Sequence, residues 1–127
     1  KKIIDALNVI KPPFNVNGVA QLAAAESLKD KKFINKSIKH NLFYAKKIKS
    51  FLENYSIFSN PISANFLLLN FEKSKYSAKL FYQKLKKKGI ILRSTEAGYR
   101  IKNKLRLTIG SSKENLKFIS IVKGMFK

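Results

Sequence analysis

The sequence predicts an α+β domain, a small three-stranded sheet with helices packed mainly on one face, preceded by two short helices. Three observations predict it. Between Lys32 and about Tyr55, apolar residues recur at three- and four-residue steps, which is the period of a helix with one buried side. The run NFLLLNF, Asn65 to Phe71, is apolar on both faces in the manner of a buried strand. Ser111 to Glu114 is a capping box, which opens a helix directly after a second strand-like run.

The elements follow in order. Lys2 to Ile10 places Ile3, Ile4, Leu7 and Ile10 on one helical face, and Pro12-Pro13 then forces an extended segment. Asn15, Asn17 and Gly18 keep the next residues irregular before a helix from Val19 to Leu28, whose Ala23, Ala24 and Ala25 permit close approach of another backbone. The long helix should bury Ile34, Ile38, Leu42, Ala45, Ile48, Leu52 and Tyr55. Asn60-Pro61 breaks the chain ahead of the buried strand. Ser74 or Ser77 can cap the following helix, which runs to Lys88 with Ala78, Leu80, Phe81 and Leu85 inward and Gly89 as a left-handed stop. Lys86, Lys87 and Lys88 suit the negative end of that helix's dipole. Ile90 to Arg93 and Leu105 to Ile109 read as two strands joined by a long loop, and the last helix turns Leu116, Ile119, Val122 and Phe126 inward.

Composition excludes several classes of chemistry. The chain has no cysteine and a single histidine, His40, read as a helix-surface residue, so disulfides, thiol catalysis and a transition-metal site lack their ligands. No apolar run is long enough for a membrane span, and the first residues lack the apolar core of a signal peptide, which points to a cytoplasmic protein. A net charge of +20 over 127 residues suggests an anionic partner, and a non-enzymatic basic α+β module that binds nucleic acid is the alternative reading. Against it, the lysines are spread along the whole chain, and most Phe and Tyr fall at core-like spacing instead of interleaving with the basic residues. There is no glycine-rich phosphate loop, no nucleophile elbow and no paired carboxylates.

What remains is anion recognition. Every arginine of this lysine-rich chain, Arg93, Arg100 and Arg106, lies between Gly89 and Gly110. A guanidinium can grip a carboxylate or phosphate through two parallel hydrogen bonds, which an ammonium cannot. Arg93 at the end of one strand and Arg106 on the next can face a common ligand.

Four blocks in register, PPFNVNGVAQLAAAESLKD, SANFLLLNF, GIILR and LRLTIGSSKEN, resemble the C-terminal part of the histidinol-phosphate aminotransferase family, fold-type I pyridoxal-phosphate enzymes of histidine biosynthesis. The resemblance covers essentially the whole chain. It implies that residues 1-30 are the tail end of a large cofactor-binding domain and residues 31-127 a C-terminal small domain. It implies amino transfer between glutamate and imidazole-acetol phosphate, yielding 2-oxoglutarate and histidinol phosphate, in a homodimer without nucleic-acid or membrane partners. Pyridoxal 5'-phosphate would be bound mainly by residues absent from this chain, the Schiff-base lysine among them. No catalytic, cofactor-binding or metal-binding residue is therefore assigned here, and the chain alone is expected to be inactive. By the same resemblance Arg106 corresponds to the arginine that holds the substrate carboxylate, Arg93 to a second arginine this family adds, and Asn15 to a segment near the active site. Arg100 matches no family position and is read as a solvated loop residue.

Overall fold

A computed structural model describes residues 1–11 and 16–126, with the side chain of Ala97 left aside. They divide into two compact units, Lys1–Lys36 and Ser37–Lys127. The first holds α1 (Lys2–Ile10), α2 (Gly18–Ser27) and the start of α3 (Lys31–Glu53). Its helix ends are specified locally. Asn17 Oδ1 accepts from the Ala20 N–H at 2.8 Å and Asp30 Oδ1 from the Phe33 N–H at 2.9 Å, each satisfying a first-turn donor that has no partner within its own helix. Neither α1 nor α2 buries a residue. The diproline and Asn15 of the expected extended segment lie outside the described residues.

The second unit is built on an antiparallel sheet of β1 (Phe58–Ser59), β2 (Phe66–Asn70), β3 (Arg93–Ser94) and β4 (Lys104–Thr108), in the order β1-β2-β4-β3. Alternation along β2 and β4 divides the sheet into two faces. Leu67, Leu69, Leu105 and Leu107 are buried on one, against Ala45, Ile48 and Leu52 of α3, Phe81 and Leu85 of α4 (Ala78–Lys87), and Phe118 and Val122 of α6 (Ser112–Met125). Each such side chain contributes about 1.5–3 kcal/mol by leaving water, so this layer holds the unit together. The other face, with Phe66, Leu68, Lys104 and Arg106, stays partly open.

Several expectations change. The sheet has four strands, not three: β1 pairs antiparallel with β2, Phe58 opposite Asn70, and at two residues it is too short to show a period. β3 begins at Arg93 instead of Ile90 because the Ile90 N–H is used elsewhere. It donates to the Leu85 carbonyl at 3.0 Å while the Gly89 N–H donates to Lys86 at 3.0 Å, a Schellman closure that Gly89 permits at φ +75°. Ser77, not Ser74, caps α4, accepting from the Leu80 N–H at 3.3 Å. The loop from 94 to 104 contains a further short helix, α5 (Glu96–Tyr99).

Helix phases also shift. α6 buries Asn115, Phe118 and Val122, and Leu116 is left exposed. In α4 Leu80 is exposed, and in α3 burial begins only at Ala45, with Ile38 and Leu42 exposed. Periodicity defines an apolar stripe, whereas the position and width of the sheet decide how much of that stripe is covered.

Candidate anion-binding site

β4 is an interior strand of the sheet, and Arg106 lies in its middle. Across the β3–β4 ladder Arg93 is directly opposite Arg106, and Leu68 of β2 is opposite on the other side. Directly paired residues of antiparallel strands point to the same face with their Cβ atoms about 4.5–5.5 Å apart, so the two arginine side chains leave one face of the sheet from adjacent positions. Like charges in such positions repel. Neither forms an ion pair, since the only one among the described residues joins Lys29 to Glu26 of α2.

Each arginine leans on an aromatic ring. The guanidinium carbon of Arg106 is 5.0 Å from the centroid of Phe66, and that of Arg93 is 5.6 Å from the centroid of Tyr99. Stacking on a ring uses the flat face of the guanidinium and leaves its in-plane N–H groups available. Arg106 Nε is buried and has no hydrogen-bond partner. An unsatisfied buried donor costs about 1–3 kcal/mol, a penalty that an anionic ligand would remove.

Both arginines line a cavity of about 830 Å³, together with Thr108, Asn115 and Lys117. The turn from β4 into α6 contributes Gly110 to its lining. Buried Asn115 closes that turn: its Nδ2 donates to the Gly110 carbonyl at 2.8 Å and its Oδ1 accepts from the Gly110 N–H at 3.1 Å. His40 on α3 places Nε2 2.9 Å from the same carbonyl, so it is a part-buried brace and not the plain surface residue expected. Gly110 cannot carry a side chain without displacing Glu114, whose Oε2 would lie 2.8 Å from an added Cβ.

Glu114 is held in place. Its Oε2 accepts from the Ser111 hydroxyl at 2.7 Å and the Ser111 N–H at 2.8 Å. Hydrogen bonding by the Ser111 side chain first, and by its backbone second, favours the carboxylate and holds its pKa below the ordinary glutamate value, against a smaller opposing effect of desolvation. The carboxylate is thus committed to the helix cap, although Glu114 also borders the cavity.

The structure therefore brings Arg93 and Arg106 together. Arg100 does not line the cavity; it ends α5 in a left-handed conformation at φ 54° with an exposed side chain. Asn15 is outside the described residues. Sequence reasoning missed Phe66 and Tyr99 as supports, and His40 and Asn115 as braces. Phe66 was within reach once the register was known, for it stands opposite Thr108, two residues beyond Arg106. Tyr99 carried no periodic signal.

Residues 1–121 match the family model for aminotransferase class I and II. The chain is 62% identical over 126 residues to histidinol-phosphate aminotransferase of Pelagibacter ubique, covering 99% of this chain and 35% of that protein. Its identity to histidinol-phosphate aminotransferase of Campylobacter hominis is 40% over 115 residues, covering 91% of this chain and 31% of the relative. Among solved structures, the histidinol-phosphate aminotransferase from Clostridium acetobutylicum superposes with a TM-score of 0.72 at 26% identity, over 98% of this chain and 37% of that one. The chain thus spans about a third of the length of the relatives it matches.

Proposed function

We propose that this chain, which belongs to the aminotransferase class I and II family, is the C-terminal part of a histidinol-phosphate aminotransferase and supplies the arginines that anchor its substrates. The paired Arg93 and Arg106 carry the reading, because they occupy directly opposed strand positions, both border one cavity, and neither has a carboxylate partner. The enzyme would move an amino group between glutamate and imidazole-acetol phosphate. One pocket must then accept either a second carboxylate or a phosphate ester, and guanidinium forks match both.

Family membership implies pyridoxal phosphate. The cofactor serves in such enzymes as an electron sink for the bond changes at the amino-bearing carbon. The described residues of this chain do not fit it. The sequence has no glycine-rich phosphate loop, and no lysine among the described residues is buried as a lysine covalently joined to the cofactor in a closed site would be. This chain's part is to bind and orient. Arg106 would hold the carboxylate of glutamate or the phosphate that takes its place, Arg93 would add a second grip on the phosphate, and Asn15 is a further proposed contact carried by the resemblance alone. Residues 1-30 would complete the large domain and 31-127 form the small one. In this reading the chain by itself is inactive, the complete enzyme is a cytoplasmic homodimer, and its ligands are small molecules.

The test joins this chain to the remaining two thirds of the Pelagibacter enzyme and measures transamination. Arg106→Lys should lose activity toward histidinol phosphate and toward an unphosphorylated amino acid such as phenylalanine alike. Arg93→Ala should impair histidinol phosphate far more than phenylalanine. An equal loss for both substrates in Arg93→Ala would sink its phosphate role.

A further inference from the structure

Tyr99 sits in the one part of the site that lacks a ladder of its own. β3 is two residues long, and beyond Ser94 the chain leaves the sheet until Lys104. This excursion is nevertheless clasped at both ends. Thr95 is buried, with its Oγ1 2.8 Å from the Ile101 carbonyl and 3.0 Å from that of Lys104, so its single proton ties the loop across its neck. The Thr95 carbonyl accepts from the Tyr99 N–H at 3.0 Å and the Ile101 N–H at 3.3 Å. At the far end Asn103, at φ 52°, accepts on Oδ1 from the Ala78 N–H at 2.8 Å and on its carbonyl from the Phe71 N–H at 3.3 Å. A fixed loop can therefore hold a fixed ring.

Arg106 is guided by Phe66, which its neighbouring strand already places, and part of its side chain is buried. Arg93 is exposed on an edge strand, and the aromatic face beside it is Tyr99. We propose that Tyr99 is a positioning residue for Arg93, its ring face holding the guanidinium flat beside Arg106, so that the 94–104 loop sets the site's preference for a phosphate-bearing substrate. The assignment rests on the anion-anchoring reading above. Tyr99 itself is 52% exposed and outside the buried core, so its ring serves Arg93 more than the fold. A guanidinium released from the ring would sample many rotamers, and ordering it again would weaken phosphate binding.

The joined Pelagibacter enzyme provides the measurement. Tyr99→Leu should raise KM for histidinol phosphate roughly three- to tenfold with kcat little changed, the range expected for a guanidinium–ring contact. Tyr99→Phe keeps the ring face and should behave as the parent. KM for phenylalanine should not move in either variant, and in an Arg93→Ala background Tyr99→Leu should add nothing, because both changes remove one contact. A parent-like Tyr99→Leu, a Tyr99→Phe as impaired as Tyr99→Leu, or additive effects with Arg93→Ala would overturn the assignment. If Arg93→Ala discriminates between substrates and Tyr99→Leu does not, only the role of Tyr99 fails. If Arg93→Ala does not discriminate, the anchoring function fails with it.

Discussion

The two units differ in what holds them. Lys1–Lys36 has well-specified helix ends and a strong apolar stripe on α1, yet Ile3, Ile4, Leu7 and Ile10 are all exposed. Ser37–Lys127 has comparable helices, and its apolar side chains close over a sheet. The difference separates two jobs of sequence. Caps and periodicity act within a few residues and suffice to define a helix. Burial requires partners far along the chain, and that is where the folding free energy arises.

The comparison can be broken most directly by truncation. Phe81→Ala empties a fully buried position and should cost about 3–5 kcal/mol in urea unfolding of the chain. Leu7→Ala on α1 should lie within about 0.5 kcal/mol of the parent, as exposed substitutions do. Similar losses for the two would show that the first unit is held by burial as well.

A finer contrast lies within α6. Asn115→Ala strands the Gly110 N–H in a part-buried turn and should lower stability by about 1–3 kcal/mol, read as a fall in Tm. Leu116→Ala, one residue on and largely exposed, should cost clearly less. The reverse order would restore the helix phase that periodicity alone predicts.

The smallest effect is electrostatic and local. Because its folded-state pKa is lowered, Glu114 contributes stability that is fully present above the ordinary glutamate range and is lost as pH falls through the depressed value. Glu114→Gln should therefore melt below the parent at neutral pH, and the gap should shrink in acid. A gap that does not depend on pH would mean that the charge of the carboxylate adds nothing to the cap.

Much of the fold was legible because its signals are local. The Gly89 stop and the Ser111–Glu114 capping box each depend on residues within five positions of one another. What was missed depends on pairing at a distance. β1 exists because Phe58 and Ser59 meet Asn70 and Leu69, and Ile90 is lost from β3 because a helix end claims its N–H. In the site, the two arginines were visible as a departure from lysine. Their aromatic supports were not, since an isolated Phe or Tyr reads the same whether it fills a core or carries a guanidinium.

By itself, then, the sequence determined the five longer helices and the two central strands, and it singled out Arg93 and Arg106 by the chemistry of their guanidinium groups. Hydrogen bonding of nearby groups and the chemistry of a planar cation need no fold to be recognised. Only the tertiary structure decided that the two arginines stand directly opposed, that Phe66 and Tyr99 lie against them, and that His40 and Asn115 brace the turn at Gly110. Strand register and helix phase are set by burying a whole surface at once, and no short stretch of residues contains that information.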